Sequence, residues 1–473
     1  MVRRIVTLML CVLVTGAAAA PADIVGDWAG ALEVGAVRLH LILHVTRGDG
    51  GALRATMDSV DQGANDIPVD VIALQGRSLH FEMNALGASY DGTLSDDGNE
   101  LAGDFTQRGT KLPLRLTRTN DTSALAPKRP QEPKPPYPYA SEDVTYSNPA
   151  AGVTLAGTLT LPAGDGPHPV VLLISGSGPQ DRDEFLMRHR PFLVLADHLT
   201  RKGIAVLRVD DRGVGKSTGT FATATTEDFA TDVLAGVAYL KTRREIDPKR
   251  IGLIGHSEGG YVAPMVATRS PDVAFIVLLA GPGVPIAVLL REQARLLLEA
   301  GGADPAFIER NERAQERMFE IVRRESDPAA AAPELKAEVD ALLAELPPEQ
   351  RDAARPSAEG SVTLVNSPWF RYLLTYDPAR TLRRVKVPVL ALNGELDLQV
   401  PPAQNLPAIE KALHQGENED VETAVLPKLN HLFQTATTGS VAEYGTIEET
   451  MSSLALDKIT TWILVRTKLS KKK

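Results

Sequence analysis

From Asp23 to Thr119 apolar and polar residues alternate in short runs, VRLHLILHV, SLHFEM and LPLRLTR among them, separated by Gly, Asp and Asn turns. A period of two puts one face of each run on a core and the other in water, which predicts an all-β module of seven or eight strands, a small barrel or sandwich. His40 and His44 fall in one such run. An H-x-x-x-H spacing gathers two metal ligands only on a helix; on a strand the two rings share a face with Ile42 and mark nothing more. The stretch PKRPQEPKPPYP (127 to 138) interrupts the pattern, its prolines favouring an extended chain over collapse. The linker is set at 121–140, separating a β domain of 23–120 from a second domain of 141–473.

Beyond the linker the period changes. PVVLLIS (169 to 175), IAVLRVD, RIGLIG, FIVLLAG (275 to 281) and VPVLALNG (387 to 394) are continuous apolar runs of strand length, and amphipathic segments lie between them. PFLVLADHLTRKG ends at Gly203, and TEDFATDVLAGVAYLKTRRE carries Phe229, Val233, Val237 and Leu240 at three-to-four spacing. Buried strands alternating with helices predict a mostly parallel α/β sheet covered on both faces. Between Gly283 and Pro368 the alternation stops, and Leu335, Val339, Leu342, Leu343 and Leu346 form one stripe, so a helical insertion of about 284–368 is expected.

Composition narrows the setting. With 473 residues, at roughly 150 per domain, two to four domains are expected. The first 22 residues have a basic start, an apolar run from Ile5 to Val14 and small residues before Ala22, the layout of a secretory signal peptide cleaved there. The run is shorter than the roughly 20 residues a membrane span needs. Loss of Arg3 and Arg4 with the leader would take the formal charge from -10 to -12, an acidity that argues against nucleic acid as a partner. Cys11, the single cysteine, would leave with the leader, so the exported chain, periplasmic or secreted, would form no disulfide. No later stretch is expected to span a membrane. Oligomeric state is not legible.

Two G-x-S-x-G patterns compete for a nucleophile, Gly215–Gly219 around Ser217 and Gly255–Gly259 around Ser257. The first overlaps DDRGVGKSTG, which also imitates a phosphate loop, but that loop needs a glycine where Asp210 stands, and a carboxylate there would repel phosphate. A nucleophile elbow places its serine directly between a buried strand and a helix. Ser257 follows RIGLI and precedes GGYVAPMVAT, whereas Ser217 follows a polar loop, so Ser257 is preferred. Gly255, Gly259 and Gly260 suit a tight turn, and Pro264 interrupts the helix behind it. A base and its orienting carboxylate should follow in the chain. His431, in the loop LNHLFQ after ETAVLPKL, is preferred to His414 on a helical stretch. Asp397, after the strand VPVLALN, is preferred to Glu395. Two backbone donors for an oxyanion are expected at Glu258 N–H and on the loop SGSGPQDRDE, at Ser177 with Gly178 the alternate.

With these motifs in view, the chain resembles the α/β-hydrolase superfamily: ISGSGPQDRDE, DDRGVGKST, GHSEGG, NGELDLQVP and LNHLFQ occur in order between about residues 142 and 468. It is most similar there to bacterial carboxylesterases near dienelactone hydrolases and to acyl-peptide and Xaa-Pro peptidases. The resemblance implies Ser257 as nucleophile, Asp397 as acid and His431 as base, and makes DDRGVGKST a shaping loop. SGSG stands where the family commonly has His-Gly. The expected activity is a serine carboxylesterase acting on short to medium acyl esters through an acyl-enzyme, with no metal or organic cofactor; Trp369 and Phe370, at the end of the helical insertion, line an acyl pocket or else pack in the core of that insertion. A serine peptidase or a thioesterase is the nearest alternative, and a lipid or envelope-polymer binder acting through the β domain is a further one. A peptidase of this kind often carries a propeller, whose four blades of about 40 residues exceed the space available.

Overall fold

The computed structural model describes residues 23–468 apart from 35–36, 49, 62–63, 108–109 and 123–127. The expected leader, Cys11 and nearly all of KLSKKK lie outside the described residues, as does part of the linker. The chain divides into two compact units, the first up to residue 123 without 60–64, the second from 124 onward with 60–64.

The first unit contains strands β1 (Gly26–Val34), β2 (Val37–Arg47), β3 (Leu53–Ser59), β4 (Ala64–Val69), β5 (Val71–Gln75), β6 (Ser78–Met83), β7 (Ala88–Leu94), β8 (Glu100–Gln107) and β9 (Thr110–Thr119). They form one nine-stranded sheet in the order β4-β3-β2-β1-β9-β8-β7-β6-β5, which curls until β3 meets β5 and nearly closes a barrel. Alternate residues fill it: Leu41, Leu43 and Val45 point inward from β2, with Trp28, Phe81 and Tyr90 among the largest fully buried side chains. His44 faces outward between Asp27 and Asp58, with its ring nitrogens 2.8 and 3.2 Å from their carboxylates. The expectation was seven or eight strands. ANDIPVDVIALQ reads as a single run, but the chain breaks at Asp70, whose carboxylate accepts the Asn84 N–H at 2.7 Å.

In the second unit the strands are β10 (Ala140–Asn148), β11 (Val153–Leu161), β12 (His168–Ile174), β13 (Ala205–Val209), β14 (Ile246–His256), β15 (Val273–Leu279), β16 (Val389–Gly394) and β17 (Val421–Leu426). The helices are α1 (Pro191–Arg201), α2 (Thr226–Leu240), α3 (Gly259–Ala267), α4 (Ile286–Ala300), α5 (Pro305–Arg324), α6 (Pro328–Ala344), α7 (Pro348–Val365), α8 (Pro368–Thr375), α9 (Pro378–Leu382), α10 (Pro402–Gln415) and α11 (Ser453–Lys468). The sheet order is β10-β11-β13-β12-β14-β15-β16-β17, with β10, β11 and β13 antiparallel in sequence and the rest parallel. Strands β12, β14 and β15 are apolar on both faces because both are covered. Val233, Val262 and Ile409 of α2, α3 and α10 pack on one face, and Leu195 and Ile459 of α1 and α11 pack on the other. This is the mostly parallel α/β sheet that the apolar runs predicted, and the α/β-hydrolase fold that the resemblance implied.

Helices α4 to α8 are inserted between β15 and β16 and have a core of their own, where Phe319, Leu335 and Phe370 meet. Leu335, Val339 and Leu343 of the expected stripe are buried, and Leu342 and Leu346 half-buried. The insertion runs past Pro368 to Thr375. Pro368 does not end a helix but begins one, at a position where its missing N–H costs nothing, and Ser367 caps it by accepting from Phe370 N. Within the linker, residues 128–139 are strapped to the second unit by side chains. Arg129 donates to the carbonyls of Gly445 at 2.8 Å and Ile447 at 2.9 Å, and Gln131 accepts from Thr450 N at 2.6 Å and Met451 N at 3.0 Å.

Candidate active site

Five loops leave the carboxyl ends of β12, β13, β14, β16 and β17 on one edge of the sheet, where open α/β sheets gather their chemistry. The loop after β14 is a single sharp turn. Ser257 has φ 51°, a left-handed backbone that costs a serine about 1–3 kcal/mol, and α3 starts two residues later. Ser257 N donates to Leu279 O of β15 at 2.9 Å, and Gly260 N donates to Ser257 O at 2.8 Å. The glycines around it serve close approach rather than unusual dihedrals: a Cβ on Gly255 would strike the Gly259 carbonyl, and one on Gly259 would strike that of Ile174. Positive φ falls on the serine itself. Pro264 is accommodated inside the nine-residue α3.

His431 and Asp397 come from the loops after β17 and β16. His431 Nδ1 lies 3.0 and 3.1 Å from the two carboxylate oxygens of Asp397. Asp397 is 2 % exposed and also accepts from Gln399 N at 2.9 Å and Val400 N at 2.8 Å, bonds that fix its orientation. The histidine loop is shaped by Asn430, whose Oδ1 accepts from Leu432 N and Gln434 N, both at 3.0 Å. Ser257 and His431 line one cavity of about 350 Å³, closed from above by Ile286, Leu289 and Leu290 of α4 and by Trp369 and Leu373 of α8. The rival residues stand elsewhere: His414 is exposed on the last turn of α10, and Glu395 is exposed and accepts from Lys428 N at 2.9 Å.

Both residues expected to supply backbone donors line this cavity. Ser177 and Glu258 are among its walls, and Glu258 N–H stands at the amino end of α3, where unpaired N–H groups favour negative charge. The neighbouring Gly176 N–H is already committed to Glu184 Oε1 at 2.7 Å. Burial pushes the Glu258 carboxyl above its ordinary value, against hydrogen bonds from Thr226 Oγ1 and Trp369 Nε1, each 2.7 Å, and from the Ser177 hydroxyl. One buried carboxyl thus joins α2, α8 and the loop after β12.

Trp369 and Phe370 do not share a role. Trp369 lines the cavity, while Phe370 is 1 % exposed in the core of the insertion, with its ring centre 5.3 Å from that of Phe319. Adjacent residues of a helix point about 100° apart, so the pair expected to line an acyl pocket is split between pocket and core.

Ser217 is a structural hydroxyl. It donates to Asp210 O at 2.7 Å and accepts from Ala156 N at 2.9 Å, tying its loop to β11. Asp210, the residue incompatible with phosphate, accepts from Arg182 Nε at 3.0 Å and Nη2 at 2.7 Å, clamping DDRGVGKST to SGSGPQDRDE. Next to it, burial pushes Asp211 up to about 7; Ser175 Oγ and Gln180 N donate to it, both at 2.9 Å, while Glu258 and Glu184 raise it further.

Two functional candidates had no signal in the sequence. His256, just before Ser257, and Glu184 are both buried, with His256 Nδ1 2.9 Å from Glu184 Oε1 and His256 Nε2 3.1 Å from His431 O. A carbonyl only accepts, so the ring donates to it through Nε2, and a carboxylate at Nδ1 favours a second proton there. Burial pulls its pKa down, but Glu184 outweighs burial and the net direction is up. The His256 and His431 ring centres are 4.9 Å apart.

Among the described residues no group of three or more His, Cys, Asp or Glu could hold a metal, and no helix is long and apolar enough to cross a membrane. Residues 170–443 match the profile of the family described as the alpha/beta hydrolase family. The chain is 26% identical over 355 residues to the esterase EstD of Thermotoga maritima, spanning 75% of this chain and 71% of that protein. Among solved structures it is similar to an esterase of Pyrococcus furiosus (18% identity, 70% of this chain and 91% of that one, TM-score 0.41). It is also similar to a dienelactone hydrolase of Anabaena variabilis (16% identity, 70% and 99%, TM-score 0.38).

Proposed function

The chain belongs to the alpha/beta hydrolase family, and from that premise we propose that it is a serine carboxylesterase cleaving short to medium acyl esters. In this reading Ser257 Oγ attacks the ester carbonyl while His431 Nε2 takes its proton, and Asp397 holds the imidazole in the required tautomer. Negative charge on the carbonyl oxygen is met by the N–H groups of Ser177 and Glu258. His431 returns the proton to the departing alkoxide, and water repeats the sequence on the acyl-enzyme.

The observation that carries the reading is the strained turn that puts Ser257 into the cavity that His431 lines, with His431 paired to Asp397. The relative named an esterase supports an ester over an amide. Export through the 1–22 leader belongs to the same proposal and is supported by its sequence pattern. The test is hydrolysis of p-nitrophenyl esters of graded acyl length. Ser257→Ala is expected to lower kcat about 10⁴-fold or more, and a fluorophosphonate label should map to Ser257. Unchanged turnover in the variant, or a label on another serine, refutes the assignment.

A further inference from the structure

Besides the Ser257 cavity, Trp369 lines a second groove, of about 590 Å³, that Ser257 does not line. Its apolar walls are Pro179, Phe221 and Leu364, and no ionisable side chain lines it. Leu364, on α7, is 52% exposed, a large apolar side chain left in water at the rim. Ser177 and Trp369 line both this groove and the Ser257 cavity, so the two spaces share a wall. The indole forming that wall is tethered through Nε1 to the buried Glu258 carboxyl at 2.7 Å.

The direction in which an ester would lie follows from the chemistry. His431 has to protonate the leaving oxygen, so the alcohol half lies on its side of the cavity, beside Gln399, Val400 and Leu432. The carbonyl has to sit against Ser177, at the boundary. The acyl substituent therefore runs away from His431, past Trp369, towards a space that neither Ser257 nor His431 lines. We propose that this groove is the subsite for the distal part of a long unbranched acyl chain, so that esters of long-chain carboxylic acids are substrates of the same site. The inference rests on the esterase reading of Ser257 and extends its range of acids. A neutral, apolar lining excludes a charged acyl terminus, and each methylene moved out of water there should raise kcat/KM about three- to fourfold.

The experiment compares p-nitrophenyl esters from butyrate to laurate, which share one leaving group, on the full chain and on Leu364→Gln and Phe221→Ser, with melting curves recorded for each. The wild-type chain should cleave laurate with kcat/KM at least equal to that for butyrate. Each variant should lower the laurate-to-butyrate ratio about fivefold. A ratio unchanged in both variants, or a wild-type chain that cleaves butyrate and not laurate, overturns the subsite. Absence of turnover at every length overturns the esterase reading, and the groove is then judged by calorimetric titration of Ser257→Ala with sodium laurate below its micelle concentration. Binding weakened about fivefold by adding Leu364→Gln sustains the subsite, and no binding overturns it.

Discussion

Replacing Glu184 by Gln removes one charge and almost no volume from behind Ser257. In the native chain Glu184 Oε1 accepts from Gly176 N at 2.7 Å and from His256 Nδ1 at 2.9 Å, and His256 Nε2 donates to His431 O at 3.1 Å. Without the carboxylate the second ring proton loses its support, and a neutral His256 keeps one. If the proton is on Nδ1, the bare Nε2 faces the His431 carbonyl; if on Nε2, Nδ1 needs the Gln amide as donor and Gly176 N–H loses its acceptor. One of three buried hydrogen bonds fails in either tautomer, at a cost of about 1–3 kcal/mol. The loop bearing Ser177 and the loop bearing His431 hang from these bonds, so the loss falls on transition-state geometry: kcat should drop about 10- to 100-fold with KM within twofold. The assay is steady-state hydrolysis of p-nitrophenyl butyrate with a melting curve on the same preparation. A variant with kcat within twofold of wild type refutes the reasoning, and a lowered Tm with unchanged kcat would make the pair a support of the fold alone.

Two further outcomes are expected. Asp211, raised to about 7 in the folded chain, is protonated there at pH values where the unfolded residue, near 3.9, is ionised, so its contribution to stability is present at low pH and lost as pH rises from about 4 to about 7, by about 1.4 kcal/mol per unit. Asp211→Asn should flatten that slope, so its Tm falls less than the wild-type Tm between pH 5 and pH 8; parallel curves would contradict the burial argument. Ser217→Ala should cost about 1–3 kcal/mol in urea unfolding, because Ala156 N loses its buried acceptor, while ester hydrolysis persists; loss of turnover in a folded variant would reopen the choice between the two G-x-S-x-G patterns.

What was legible in the sequence was whatever a short window carries. RIGLIG followed by GHSEGG specifies a buried strand, a turn and a close-packed helix, because each residue there answers to its immediate neighbours. Asp397 and His431 were found by chain order, since each follows an apolar strand. The pair Glu184 and His256, 72 residues apart, was silent because no periodicity marks a contact between two loops. Trp369 and Phe370 were read together because a sequence shows adjacency and not helical phase. The β4–β5 break at Asp70 and the helix beginning at Pro368 were missed for a related reason: each depends on a cap or a partner that the local run does not display.

The inserted helices α4 to α8 meet the rest of the unit at a small apolar seam, where Ile286, Leu289 and Leu373 rest on Tyr261 and Val400, and their remaining apolar side chains pack mainly among themselves. The roof nevertheless shares its cavity walls with the loops of the sheet, Ser177, Pro179 and Phe221 facing Leu364 and Trp369 across one groove. A lineage that traded this five-helix roof for another would have to keep, or replace, the indole that reaches Glu258, one residue from the turn that carries Ser257.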